Sequence, residues 1–319
     1  MGGGVARSIE SSTQSATIIA QSQHQNLTSH AITTPIKPIF IQGDLNDTIL
    51  LRQIFDTYHI ECVLHFAAFA YVGESVLEPQ KYYLNNVAHT LNLLSVMREF
   101  DCKNIIFSST CATYGNPHQI PITESHPQSP INPYGRSKLM VEQILQDFSK
   151  AYNLSYVILR YFNAAGASNF FNIGESHNPE THLIPLILQT ALKQRNTPLE
   201  IFGLDYPTKD GSCVRDYIHI DDLALAHILS WRYLRNGGKS DVFNLGNNEG
   251  FSVLEVLHKA QEITNTEIPY IHSKRREGDP AILVGDCRKA KAILGWNPHF
   301  CDLETILQTA YRWHKNPRY

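Results

Sequence analysis

The period of the apolar positions changes repeatedly along this chain, and each change marks an element. IFI (39–41) is a short apolar run that stops at Gly43 and Asp44, and residues 48–58 then recur with helical spacing. CVLHFAA (62–68) is continuously apolar, a loop follows, and residues 86–100 are again helical in period. NIIFSS (104–109), the periodic stretch NPYGRSKLMVEQILQDF (132–148) and SYVILRYFN (155–163) continue the alternation. Strand and helix alternating at these lengths predict parallel strands joined by crossover helices, hence an α/β fold with a doubly wound, Rossmann-like parallel sheet. Strands that are apolar throughout agree, because both faces of such a sheet are covered.

The ends of the pattern are weaker. Residues 5–12 fit a short helix, ATIIA (16–20) a buried strand, and residues 21–38 have the composition of a loop. Beyond residue 163 come a helix at 183–193, a strand at 199–202, VRDYIHI (214–220), a helix, VFNLG (242–246), a helix at 253–263 and two short helices. This half reads as a smaller α/β lobe, with VRDYIHI and VFNLG returning to the main sheet. The expected domains are therefore 1–162 and 163–319.

The 132–148 stretch carries the clearest chemistry. Pro133 suits the first turn of a helix, where its missing N–H costs nothing. Tyr134, Lys138, Val141 and Leu145 then share one face. A phenol titrating near ~10 is a poor base at neutral pH, and a cation one turn away favours the phenolate. The pair is thus a candidate general acid/base. Spacing alone is weak evidence, since Tyr270 and Lys274 repeat it without an amphipathic run behind them. Ligands of doubly wound sheets bind beyond the carboxyl ends of the strands. Thr110, at the end of the 104–109 strand, falls there and can share a proton with Tyr134.

Composition narrows the partners. A net charge of −3 with no basic excess argues against nucleic acid, and no apolar run reaches the ~20 residues of a membrane span. The opening residues lack the apolar core of a secretory signal. Six scattered cysteines without a CxxC pair fit reduced thiols in a cytoplasmic protein, with no metal site among them.

FSSTCATYG (107–115), the NPYGRSKLMVEQIL helix, LRYFNAAGA, IFGLDYPTKDGSCVRDYIHIDDLA and RREGDPA follow one another in an order that resembles the UDP-glucose 4-epimerases of the extended short-chain dehydrogenase/reductase family. The resemblance runs from about Ile39 to the C-terminus. It implies an NAD-dependent isomerase that oxidises the sugar transiently at C4, with UDP-glucose and UDP-galactose as substrates. Tyr134 would be the acid/base, Lys138 would hold the nicotinamide ribose, and Thr110 would fill the catalytic Ser/Thr position. Asp44, Leu45, Phe66, Ala67, Ala68, Phe69, Ala70, Asn86 and Phe162, with Tyr134 and Lys138, would contact NAD. Asn163, His182, Leu183, Ile201, Phe202, Arg215, Arg276 and Asp279, with Thr110 and Tyr134, would surround the UDP-sugar. Two arginines suit a diphosphate independently of the resemblance, since guanidinium presents bidentate donors. Leu283 matches a position facing the sugar's C2 substituent. The resemblance also implies a homodimer built through the helices near Leu94 and Leu145.

The N-terminus departs from this pattern. The family opens on a strand running into GxxGxxG, whose backbone N–H groups cradle the pyrophosphate. Here Gly2, Gly3 and Gly4 follow Met1 directly, and Gln25 stands where a ribose-binding Asp is expected. The expectation is an N-terminally truncated member lacking the first strand and its glycine loop. A 4,6-dehydratase is disfavoured because Ser109-Thr110-Cys111 replaces the acidic residues that elimination needs. An N-acetylhexosamine or uronate 4-epimerase, and a non-catalytic sugar-nucleotide-binding remnant without NAD, stay open as alternatives.

Overall fold

The computed structural model describes residues 16–19, 38–276 and 279–318. Strand β1 (Ala16–Ile19) pairs antiparallel with β2 (Ile39–Gln42), with Ala16 opposite Gln42. Helix α1 (Thr48–Thr57) follows, its first turn capped by the Asp47 carboxylate, which accepts from Leu50 N–H at 2.9 Å. Then come β3 (Val63–His65), α2 (Val72–Leu77) and α3 (Pro79–Tyr82), a π-helical turn (Tyr83–Ala88), and α4 (His89–Glu99). The middle of the chain is β4 (Asn104–Thr110), α5 (Pro133–Tyr152), β5 (Ser155–Tyr161) and β6 (Asn163–Ala165). The second half holds α6 (Leu183–Ala191), β7 (Leu199–Phe202), β8 (Val214–Arg215), β9 (Tyr217–His219), α7 (Ile220–Arg235) and β10 (Asp241–Leu245). It ends with β11 (Phe251–Ser252), α8 (Val253–Thr264), β12 (Tyr270–Ser273), β13 (Ile282–Leu283), α9 (Arg288–Leu294) and α10 (Leu303–Lys315).

The organising sheet is parallel, in the order β10–β5–β4–β3. Its period-two alternation divides the core. Ile105, Phe107 and Ile158 face α4 and α5 and pack with Leu94, Val141 and Leu145. Ile106, Val157 and Leu159 face the other way, into a cluster with Leu223 and Ala226 of α7 and Ala290 of α9. Helices thus cover both faces, as doubly wound sheets require. A third cluster joins α6, α8 and α10 beneath β7.

One expectation for the second half holds, and several others are corrected. VFNLG returns to the main sheet as β10 beside β5. VRDYIHI does not, and breaks at Asp216: β8 pairs with β11 and β13, and β9 pairs with β6. The break is enforced because the Asp216 N–H goes to the Leu283 carbonyl while its own carbonyl accepts from Asn163. CVLHFAA forms a strand over only three residues before turning into loop, and the stretch expected to be loop before residue 86 holds α2 and α3. ATII (16–19) and IFI do form strands, but they pair antiparallel with each other, apart from the parallel sheet. That pairing gives β2 its backbone partners, and among the described residues no strand covers the outer edge of β3. The expected helix at 5–12, Gly2, Gly3, Gly4 and Gln25 lie outside the described residues.

Candidate active site

The site assembles where β4 and β5 end and α5 begins. Asn132 caps α5, its side-chain oxygen accepting from Gly135 N–H at 2.8 Å, with Pro133 at the first helical position. Tyr134 is therefore held at the helix mouth and Lys138 one turn below it. Gly135 allows the close approach: a Cβ there would lie 2.5 Å from the Ala112 carbonyl oxygen. Thr110 is buried, and its hydroxyl accepts from Ala112 N–H at 3.1 Å, which leaves its proton to donate. Thr110 is the side chain whose hydroxyl draws the Tyr134 phenol down.

The electrostatics of the pair differ from the sequence expectation. Lys138 Nζ donates to the Ser108 carbonyl at 2.8 Å and lies 4.8 Å from the centre of the Phe107 ring. Burial brings its pKa down to about 7, opposed by the Glu142 carboxylate one turn further along α5. Tyr134 is raised above its ordinary value, chiefly by burial and then by Tyr161. The group that draws the phenol down here is Thr110, while Lys138 donates to the strand.

Three residues at the site carried no signal in the helical spacing. Tyr161 stands opposite Thr110 in the β4–β5 register, its phenol raised by burial and drawn back by the Ser108 hydroxyl. Ser108 Oγ lies 3.2 Å from His227 Nε2, and His227 Nδ1 lies 2.8 Å from the Leu223 carbonyl. A carbonyl can only accept, so Nδ1 carries the imidazole proton and Nε2 takes the Ser108 proton. The register of two neighbouring parallel strands, written out, would have placed Tyr161 and Ser108.

The residues matched to NAD divide. Phe66, Ala67, Ala68, Phe69 and Ala70 form the loop after β3, with Phe66 exposed and its ring centre 4.6 Å from that of His227, the two rings tilted. Asn86, fully enclosed in the π-turn, fixes this loop: its side-chain oxygen accepts from Phe69 N–H at 2.8 Å and its amide donates to the Phe69 carbonyl at 3.0 Å. The same amide reaches Ser137 Oγ, which donates to the Tyr134 carbonyl at 2.7 Å. Loop and catalytic helix are thus coupled through one buried asparagine. Asp44 follows β2, 3.6 Å from His89 at the start of α4, and the Leu45 carbonyl accepts from Asn92. Phe162 is buried in the core, its ring filling the space beside Gly285.

The residues matched to the UDP-sugar cluster around β7, β8 and β13. Arg215 pairs with Asp279, and its charge reaches Cys111, the neighbour of Thr110. Arg276 stacks 4.1 Å over Phe202, and Ile201 is buried beside it in β7. Leu283 lies opposite Arg215 in the β13–β8 register. Asn163 donates to the Asp216 carbonyl at 2.9 Å. His182 and Leu183 stand at the start of α6, where His182 bonds Glu175. Behind the site, Glu142 and Arg160 form a buried ion pair at 2.6 Å that Ser109 and Gln128 complete.

Residues 1–246 match the NAD dependent epimerase/dehydratase family. The chain is 54% identical over 276 residues to the UDP-glucose 4-epimerase of Halalkalibacterium halodurans, spanning 86% of this chain and 82% of that relative. It is 49% identical over 290 residues to the UDP-glucose 4-epimerase of Lacticaseibacillus casei, spanning 91% and 87%. The crystal structure of UDP-glucose 4-epimerase from Brucella ovis in complex with NAD superposes with a TM-score of 0.84 at 46% identity, covering 86% of this chain and 84% of that one.

Proposed function

The chain belongs to the NAD dependent epimerase/dehydratase family, and from that premise we propose that it is a UDP-glucose 4-epimerase, an isomerase interconverting UDP-galactose and UDP-glucose. The observation that carries this reading is the buried Tyr134 phenol, perturbed by the Thr110 hydroxyl and sharing a helix face with Lys138 at the carboxyl end of β4. Tyr134 takes the proton of the sugar 4-hydroxyl and returns it to the same oxygen on the way back. Thr110 donates to the phenolic oxygen, or to the substrate oxygen that displaces it. Bound NAD supplies the reversible oxidation at C4.

The residues present fit the nicotinamide end of that cofactor. Lys138 has two further N–H donors beyond the one given to Ser108, in a buried setting suited to a ribose diol. The loop of Phe66, Ala67, Ala68, Phe69 and Ala70, held by Asn86, lies against the same helix, and Asp44 and Leu45 serve the adenine side. On this reading residues 1–162 hold NAD and 163–319 the UDP-sugar. Arg215 and Arg276 bind the diphosphate, with Asn163, His182, Leu183, Ile201, Phe202 and Asp279 around it. Two copies pair through α4 and α5. Leu94 and Leu145 themselves are buried in the chain's own core, whereas Leu91 and Met140 on these helices are exposed and available to a second copy. Six free cysteines support a cytoplasmic setting. Among the described residues no helix is long and apolar enough to cross a membrane.

Acid release of nucleotide from the purified chain tests the reading. Near-stoichiometric NAD is expected, and a protein that gains neither NAD nor epimerase activity on soaking would refute it.

A further inference from the structure

Just before α6 the chain brings four ligand-type side chains to one point. Glu175, His177, Glu180 and His182 each present one donor atom, and these atoms all lie within 4.8 Å of one another. His177 Nδ1 is 2.9 Å from Glu175 Oε1 and 3.5 Å from Glu180 Oε1, and His182 Nδ1 bonds the same Glu175 oxygen. We propose that this quartet is a binding site for a divalent transition-metal ion of the zinc class, holding the segment between β6 and α6 in place.

Three observations carry it beyond a set of neighbouring charges. Donor atoms bound to zinc at ~2.0–2.1 Å in a tetrahedron lie ~3.3 Å apart; the two His177 distances bracket that spacing and the His182–Glu175 pair is closer than it. His177 Nδ1 is enclosed between the Glu175 and Glu180 carboxylates, 2.9 and 3.5 Å away, without a well-aligned hydrogen bond to either. An imidazole nitrogen enclosed between two carboxylates is a ligand geometry, and a cation would satisfy all three. The surroundings also hold the ligands in place. The Glu180 carboxylate accepts from Thr181 and His182 N–H at 2.8 and 2.9 Å, and its side chain is only 6% exposed. The Glu175 carbonyl accepts from Trp313 Nε1 at 2.8 Å, and the His177 and His182 rings stand edge to face, 5.0 Å apart.

The donor set selects the ion. Two imidazoles with two carboxylates suit zinc and its transition-metal neighbours, whereas calcium and magnesium take oxygen ligands. Four protein ligands also close the coordination sphere, which marks a structural site. The consequence is mechanical. Tyr71, from the loop after β3, donates to the Pro179 carbonyl at 3.0 Å, so an ion here would tie that loop to α6 and, through Trp313, to α10. His182 would bind through Nδ1 and keep Nε2 for other partners.

The test uses the full chain, stripped with a chelator and titrated with zinc chloride while bound metal and melting temperature are followed. One saturating zinc per chain is expected, with an upward melting shift that saturates at the same stoichiometry. X-ray absorption at the zinc edge should give only nitrogen and oxygen ligands near ~2.0–2.1 Å. His177→Phe and Glu180→Gln, checked for wild-type circular dichroism, should each lose zinc affinity on the order of a hundredfold. The wild-type absorption spectrum decides the matter even where a variant does not fold. Absence of saturable binding, a sulfur shell near ~2.3 Å from the cysteines, or unchanged affinity in folded variants would each overturn the assignment.

Discussion

Tyr134 and Lys138 carry the chemistry, yet the structure gives them different relations from those their spacing predicts. Four residues on a helix place them on one face, and that much is legible. It does not reveal that Lys138 reaches the Ser108 carbonyl, because this depends on where β4 lies under α5. Nor does it reveal Thr110 as the group that draws the phenol down, since that needs the close approach at Gly135. Tyr134→Phe removes the proton acceptor and keeps the ring, so turnover should fall about 10²- to 10⁴-fold while NAD content and melting temperature hold. Steady-state rates and acid-released NAD check this. Lys138 gives a second test through stability. Its folded pKa of about 7 lies below its ordinary 10.5. A group depressed on folding contributes stability that is present above the unfolded value and lost as pH falls through the folded one. Urea unfolding should therefore show stability rising from about pH 7 towards 10.5, and Lys138→Met should flatten that rise.

At the scale of elements, the apolar runs of the central strands and the periodicity of α5 predict the parallel sheet and its crossover helices. What escapes is decided by partners distant in sequence. VRDYIHI reads as one strand because nothing local shows that the Asp216 backbone is claimed from two sides. The π-turn before α4 is equally hidden, since its extra residue serves to seat Asn86 between Phe69 and Ser137. Asn86→Ala would strip four side-chain hydrogen bonds from a buried position. A loss of about 1–3 kcal/mol is expected, with weaker NAD retention as the loop loosens; chemical denaturation and gel-filtered NAD content measure both. Gly135→Ala should push α5 away from the Cys111–Thr113 turn. A displacement near 1 Å would cost roughly 10² in kcat with little change in far-UV circular dichroism. Glu142→Gln leaves Arg160 buried without its counter-charge, and should destabilise by about 3–5 kcal/mol in the same denaturation assay.

At the scale of the molecule, two bodies of core meet at the site. The sheet and α5 supply Thr110, Tyr161, Tyr134 and Lys138, and the second half supplies Phe202 and Arg215 from short strands and Arg276 and Asp279 from the segment between β12 and β13. Motif order, read as a resemblance, located nearly all of these residues. Their mutual pairing, such as Arg215 with Asp279, became visible only in three dimensions. The central claim is that this assembly interconverts UDP-galactose and UDP-glucose with Tyr134 moving the proton. The most direct measurement is the anomeric proton spectrum of UDP-galactose incubated with the NAD-loaded chain, beside the same reaction with Tyr134→Phe. The account predicts the same final mixture of the two UDP-sugars from either starting sugar, reached at least about 10²-fold more slowly by the variant. UDP-galactose left unchanged by the NAD-loaded chain, or a variant as fast as the parent, would contradict it.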